Sequence, residues 1–256
     1  MLVTGATGRL GRAVVAKLTA SGAAVRALSR HGQPDTPGVE WAVGDLASGD
    51  GVDRAVAGVA AVVHLASAPY RRGYTRTVEI DGTTRLLDAA RQHGIRHLVY
   101  TSIIGCDRIP WAYFRTKAEA ERLVRDAEVP ATVLRLGQFH DFVDEAFTGL
   151  ARTGLLLSDR GVLAQPVDTA DAAERIAALL QAGPGDEIVE FAGPEQLDLT
   201  TAARQWLAAT GKRRPVLPIR IPGALGAAFR AGRLTTNAEP RGTRTWRDHL
   251  AARYGA

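Results

Sequence analysis

The stretch LVTGATGRLGR, Leu2 to Arg12, constrains the fold of this chain more than any other. Leu2 and Val3 suit the end of a buried strand, and Leu10, Val14 and Leu18 recur every four residues, the apolar stripe of a helix. Between them stand Gly5, Gly8 and Gly11. A strand that turns into a helix over three glycines aims the helix's unpaired N–H groups, and the positive end of its dipole, at the turn. A pyrophosphate would sit there. The spacing is G-x-x-G-x-x-G rather than G-x-G-x-x-G, and the strand before and helix after are the context that separates a dinucleotide turn from a bare glycine-rich loop.

The rest of the chain repeats that unit. Ser21-Gly22 ends the helix and Ala23 to Leu28 reads as a second strand. Where a site selects NAD, an acidic side chain about 20 residues past the glycines accepts hydrogen bonds from the ribose hydroxyls. Here Ser29-Arg30-His31 stand instead, and Asp35 is the first acidic residue after the turn. Arg30 suits a 2′-phosphate, which favours NADP over NAD as cofactor. Val39 to Val43 reads as a third strand ending at Gly44-Asp45-Leu46, Asp50 to Val56 as a short helix, and Ala61 to Ala66 as a buried fourth strand. A helix from Val78 to Gly94, a fifth strand from His97 to Thr101, a helix opened by Pro110 and a sixth strand from Ala131 to Leu136 follow. Such alternation predicts an α/β fold, a Rossmann-like doubly wound parallel sheet. Ligands bind at the carboxyl ends of its strands, where Gly5 to Gly11, Arg30, Asp45, Ala66 to Ala68, Thr101-Ser102 and Gly137 all fall.

Beyond Gly137 the alternation becomes irregular. Asp168 to Leu180 reads as a helix, Glu187 to Phe191 as a strand, Thr200 to Ala209 and Thr245 to Tyr254 as helices. Pro215, Pro218 and Pro222 mark an extended segment that cannot be a central strand. The expected division is a dinucleotide-binding domain over residues 1–138, and a small substrate lobe over 139–256 laid on the strand ends and partly woven into the sheet.

Tyr113 and Lys117 lie four apart on the helix after strand five, so both project from one face, and Ser102 precedes them at a strand end. With five tyrosines and three lysines in 256 residues, about 0.06 such pairs arise by chance. A phenol ordinarily titrates near ~10, and an ammonium ~4 Å away contributes about 4 kcal/mol to its anion at an effective dielectric of ~20. Lys117 is therefore expected to lower Tyr113 toward neutrality, making it a general acid or base, while also holding a ribose hydroxyl. Ser102 would orient a reacting carbonyl or alcohol, and hydride transfer would belong to the nicotinamide.

TGATGRLGR, the GDL of Gly44 to Leu46, HLAS at His64 to Ser67, and YTSIIG followed by YFRTK resemble the atypical short-chain dehydrogenase/reductases, in their NmrA-like NAD(P)H-binding branch. The resemblance runs from Met1 to about Asp141. It implies that Gly5, Thr7, Gly8 and Gly11 hold the pyrophosphate, Arg30 the adenosine phosphate and Asp45-Leu46 the adenine. Ala66 and Ser67 would lie along the cofactor, with Ser102, Tyr113 and Lys117 as the catalytic group. Arg9 and Leu10 in the glycine turn, Ser29 and Thr101 at strand ends, and Lys117 again complete the expected cofactor surface. Two departures stand out. The interval from Ser102 to Tyr113 is short for the wider superfamily, leaving Thr101, Ser102 or neither to face the substrate. The asparagine often carried on the helix after strand four is replaced near Glu79 to Asp81.

Other features narrow the functional classes. No run approaches the ~18 apolar residues of a membrane span, and the first strand begins at once, so neither a membrane nor a secretory route is expected, and the cytoplasm is. Cys106 is the single cysteine, expected as a bystander thiol; a disulfide within the chain is excluded, and no metal is expected. His93 and His97 flank Gly94 at a helix end, which argues against a shared metal face. His140 and Asp141, after strand six, read equally as pocket edge or loop. The net charge of +5 and the cluster Lys212, Arg213, Arg214, Arg220 lack interleaved aromatics or a nucleic-acid motif, so no nucleic-acid partner is expected. The expected partner is a small-molecule substrate, with assembly into a homo-oligomer left open. The leading expectation is an NADP(H)-dependent oxidoreductase moving hydride to or from a small carbonyl, alcohol or quinone-like compound. Its alternatives are a cofactor-sensing regulatory protein without turnover, and a nucleotide-sugar epimerase or dehydratase that holds NAD.

Overall fold

The computed structural model describes every residue except Tyr70, Arg72, Asp186 and Ala256. Its first half alternates as the periodicity requires: β1 (Leu2–Thr4), α1 (Arg9–Ala20), β2 (Val25–Ser29), β3 (Val39–Val43), α2 (Val52–Val56), β4 (Ala61–His64), α3 (Tyr74–Arg76), a π-helical turn (Thr77–Gly82), α4 (Thr83–Gln92), β5 (His97–Ile103), α5 (Ala112–Asp126) and β6 (Ala131–Leu136). The second half carries α6 (His140–Ala151), β7 (Leu156–Asp159), β8 (Leu163–Ala164), α7 (Thr169–Ala182), β9 (Ile188–Phe191), β10 (Leu197–Asp198), α8 (Leu199–Thr210), β11 (Val216–Ile219), α9 (Gly223–Arg230) and α10 (Trp246–Tyr254).

Seven strands form one parallel sheet in the order β3-β2-β1-β4-β5-β6-β9. β1 is central to the reversal: Leu2 registers with Arg26 of β2 on one side and with Val62 of β4 on the other. The chain winds outward through β2 and β3, returns, and winds the other way from β4. That reversal opens a crevice beyond the carboxyl ends of β1 and β4, the place where doubly wound sheets take their ligands.

Several elements depart from the sequence reading: β7, β8, β10 and α9 stand where it gave none, and two further differences shape the site and the second core. The helix expected from Val78 begins at Tyr74 and passes through the π-helical turn, whose wider winding buries Val78, Glu79 and Gly82. Gly82 sits under Leu46, whose Cβ would stand 3.0 Å from a side chain added there. The second difference is α6, absent from the reading of residues beyond Gly137, although Val143, Phe147 and Ala151 form a buried stripe at helical spacing. The proline-containing segment behaves as its composition requires, since β11 pairs only with β7 in a separate two-stranded sheet.

The chain forms two compact units, each drawn from three stretches. Unit 1 is Met1–Ser102, Ala112–Arg135 and Ala172–Val189. Its core packs Leu2, Val62, Leu86, Leu98, Ala120, Val124 and Val133. Unit 2 is Ile103–Trp111, Leu136–Asp171 and Glu190–Ala256. Its core gathers Val143, Phe147, Leu156, Trp206, Trp246 and Leu250, with Asp144 accepting hydrogen bonds from Trp206 Nε1 and Tyr254 Oη, both at 2.7 Å. No helix among the described residues is long and apolar enough to cross a membrane.

Candidate active site

The three glycines do three different things. Gly5 has φ +66°, and a Cβ there would stand 2.7 Å from the Ala66 nitrogen, so the turn presses against the chain leaving β4. Gly8 is the N-cap of α1 and donates its N–H to the Gly5 carbonyl at 3.0 Å. Gly11 is buried, and a Cβ there would overlap the Gly5 oxygen and Ala6, so its bare backbone lets α1 pack onto the turn. No side chain caps α1 and no acidic residue occupies its first turn, which leaves the positive helix end facing outward.

In front of this turn lies a cleft of about 340 Å³. Nine of the expected cofactor residues line it: Gly5, Thr7 and Gly8 from the turn, Ser29 and Arg30 after β2, Asp45 and Leu46 after β3, Ala66 and Ser67 after β4. Arg9, Leu10, Gly11, Thr101 and Lys117 are not among its lining residues; Leu10 and Gly11 are buried in the packed face of α1, and Arg9 is exposed at its start. Two side chains the sequence reading did not single out also line the cleft, Arg71 and Tyr74. Arg30 Nη1 donates to Tyr74 Oη at 3.4 Å, and the Arg71 guanidinium lies 5.3 Å from the Tyr74 ring centre. A glycine cradle, an uncapped helix start and two guanidinium groups fit a phosphate-bearing ligand.

Beside the cleft four polar side chains meet, Tyr113 and Lys117 from α5, Glu79 from the π-helical turn and Ser67 from the segment after β4. Tyr113 Oη lies 2.7 Å from Ser67 Oγ, and Ser67 donates to Glu79 Oε1 at 2.5 Å. Glu79 Oε1 also accepts the Ala68 N–H at 3.2 Å and lies 3.5 Å from Tyr113 Oη. Lys117 Nζ donates to Glu79 Oε2 at 3.2 Å and to the Thr101 carbonyl at 2.8 Å, and stands 4.3 Å from the Tyr100 ring centre. Lys117 and Glu79 are both buried. Burial pushes the Glu79 carboxyl up, but the Lys117 ammonium and the hydrogen bonds from Ser67, Lys117 and Ala68 outweigh it, so Glu79 stays ionised below the ordinary carboxylate range.

The expectation that Lys117 lowers Tyr113 toward neutrality is corrected here. Burial raises the phenol well above its ordinary value, and although Lys117 and the Ser67 hydrogen bond lower it, Glu79 and Tyr100 act against them. Desolvation is the largest of these effects, and Glu79 offsets part of the ammonium's field. Tyr113 is accordingly a protonated phenol.

Thr101 and Ser102 diverge as neighbours on a strand must. Thr101 Oγ1 donates to the His64 carbonyl at 3.2 Å, while Ser102 is buried near the end of β5. The hydroxyl placed 2.7 Å from Tyr113 is that of Ser67, which the sequence reading set along the cofactor. Glu79 is the side chain of this cluster that the reading passed over, and its one signal was the replaced asparagine. The remaining candidates fall elsewhere. His93 meets Asp53 at 2.8 Å and His97 meets Thr132 at 3.0 Å, and no group of three or more metal-binding side chains occurs among the described residues. Cys106 is buried. His140 and Asp141 begin α6, His140 buried beside Trp246 and His249 and Asp141 paired with Arg253 at 3.1 Å, so neither is a loop residue.

Known proteins are similar to this chain. A family profile described as NAD(P)H-binding matches residues 5–182. The (4-alkanoyl-5-oxo-2,5-dihydrofuran-3-yl)methyl phosphate reductase of Streptomyces griseus is 34% identical over 206 residues, 77% of this chain and 69% of that protein. The 2-alkyl-3-oxoalkanoate reductase of Stenotrophomonas maltophilia is 35% identical over 162 residues, 53% of this chain and 49% of that one, so the chain spans about half to two thirds of these relatives. An NADPH-dependent quinone oxidoreductase of Escherichia coli, solved with NADPH, superposes with a TM-score of 0.80 at 18% identity and covers 99% of both chains, which establishes a shared fold. The glycine turn, the seven-stranded sheet and the match over residues 5–182 together make this chain a member of the NAD(P)H-binding family, with a Rossmann-like fold.

Proposed function

We propose that the chain is an NADP(H)-dependent oxidoreductase acting on a small carbonyl, alcohol or quinone-like compound. The observation that carries this reading is the Tyr113 phenol, protonated and 2.7 Å from Ser67, which itself lines the cleft that holds Gly5, Gly8 and Arg30. The nicotinamide, when bound, supplies or accepts the hydride. The turn from Gly5 to Gly8 and the start of α1 hold the pyrophosphate, Asp45 and Leu46 face the adenine, and Arg30 takes the 2′-phosphate with Arg71 and Tyr74 beside it. Lys117 has three donors, two of them given to Glu79 and Thr101, and offers the third to a ribose hydroxyl. Tyr113 exchanges a proton with the substrate oxygen, and Ser67, not the buried Ser102, is the hydroxyl beside the phenol.

Binding calorimetry and turnover test the two halves. NADPH is expected to bind more tightly than NADH, and Arg30→Ala to weaken NADPH by about 10-fold or more, the worth of a charge-assisted hydrogen bond, with NADH unchanged. Equal affinity for both cofactors would remove the phosphate reading. Over a panel of small carbonyls and quinones, Tyr113→Phe is expected to lower kcat about 100-fold or more. Unchanged turnover would sink the catalytic assignment, and tight NADPH binding with no compound consumed would favour a cofactor sensor.

A further inference from the structure

Glu79 lies on the π-helical turn with its side chain wholly out of solvent, and an ionised carboxylate can only accept hydrogen bonds. Ser67 has one proton and gives it to Glu79 Oε1, so the 2.7 Å contact between Ser67 and Tyr113 must be donated by the phenol. The donors therefore run in one direction, from Tyr113 to Ser67 to Glu79, while Lys117 balances the carboxylate from its other oxygen. Ser67, exposed, is the member of the row that water reaches.

Building on the function proposed above, we propose that Glu79 is a positioning residue that orders this row, holds the Tyr113 hydroxyl with its proton on, and so commits the site to reduction. Balanced over one turnover, the phenol turns its proton from Ser67 to the substrate oxygen, the Tyr113 O–H bond breaking as the substrate O–H bond forms. Ser67 then turns its proton from Glu79 to the phenolate while taking one from solvent. The Tyr113 proton, with the hydride a bound dihydronicotinamide would supply, would complete the two-electron reduction of a carbonyl or quinone oxygen.

The charged and titratable groups that act on the phenol are Lys117 on α5, Glu79 on the π-helical turn and Tyr100 on β5, and the same Lys117 and Glu79 act on the buried, neutral His64 of β4. Lys117 favours the phenolate, and Glu79 opposes it. Without the carboxylate the ammonium is opposed only by burial and Tyr100, so the phenol ionises at lower pH. The test is the pH dependence of kcat/KM together with the phenolate ultraviolet absorbance of the protein without substrate, each read against Tyr113→Phe. Glu79→Gln is expected to raise the Tyr113 ionisation constant at least about tenfold, so that the phenolate transition and the alkaline loss of activity both move down by roughly one pH unit. Glu79→Asp is expected to restore the original profile in part. A folded Glu79→Gln protein with the original phenolate transition and pH profile overturns the role of Glu79 and leaves the proposed function standing. Turnover indifferent to Tyr113→Phe overturns the proposed function, and the absorbance still reports on Glu79. Should Glu79→Gln not fold, because it strands a buried ammonium, Glu79→Gln with Lys117→Met removes both charges. That double variant is expected to keep its phenol protonated as high as the original protein does, and a phenol ionising near neutrality in it would overturn the inference.

Discussion

His64 illustrates how a side chain's chemistry comes from its surroundings rather than from its neighbours in the chain. Thr4 Oγ1 accepts the N–H groups of Leu65 and Ala66 at 3.2 and 3.3 Å, so its own proton points to His64 Nδ1 at 2.7 Å. Nε2 then carries the ring proton and donates to Thr83 at 3.0 Å. Burial first, and Lys117 second, hold the ring down to about 3, with Glu79 opposing. In the unfolded chain a histidine titrates near ~6.5, so between that value and about 3 the unfolded chain binds a proton that the folded one refuses. The associated stability is complete above ~6.5 and declines as pH falls across that window. Denaturant titrations should show the original protein losing on the order of 3 kcal/mol more than His64→Asn between pH 7 and pH 4. Parallel losses would mean that the buried ring does not set the acid limit. None of this was legible in HLAS as a string, which identifies the strand end and is silent on what encloses it.

At the scale of elements, two helical glycines make opposite predictions from the same substitution. Gly149 lies in α6 with open space where its Cβ would be, and Gly11 lies in α1 with the Gly5 oxygen and Ala6 in that place. Alanine is the better helix former by about 1 kcal/mol, so Gly149→Ala should stabilise by roughly 0.5–1 kcal/mol. Gly11→Ala should destabilise by about 1–3 kcal/mol, because the added methyl forces helix and turn apart. Thermal melts of the two variants decide it, and a stabilised Gly11→Ala protein would refute the close packing. The turn and α1 were readable because a strand end, three glycines and a four-residue stripe are local signals. The π-helical turn was not, since Thr77 to Gly82 reads as ordinary helix. Its widened winding accompanies contacts with Leu46 and Lys117, which lie far away in sequence.

For the whole molecule, the interleaving of the two units has a direct consequence. Unit 1 draws its last stretch from Ala172–Val189, whose strand end borders β6: the Val133 N–H donates to the Glu187 carbonyl at 3.2 Å. A fragment of residues 1–138 would lack that stretch and bare an apolar sheet edge. It should express poorly or melt without a cooperative transition, as read by circular dichroism, and a cooperative melt from the fragment would show that the first 138 residues hold a complete core. The sequence by itself determined the doubly wound strand–helix alternation and the glycine turn, because periodicity and backbone freedom act within a few residues. Only the tertiary structure decided that Ser67, Glu79, Tyr113 and Lys117 share one site, that Glu79 is ionised there and that Tyr113 keeps its proton. Those properties depend on burial and on distances of a few ångströms between elements as many as 46 residues apart, which arise only when the sheet has assembled.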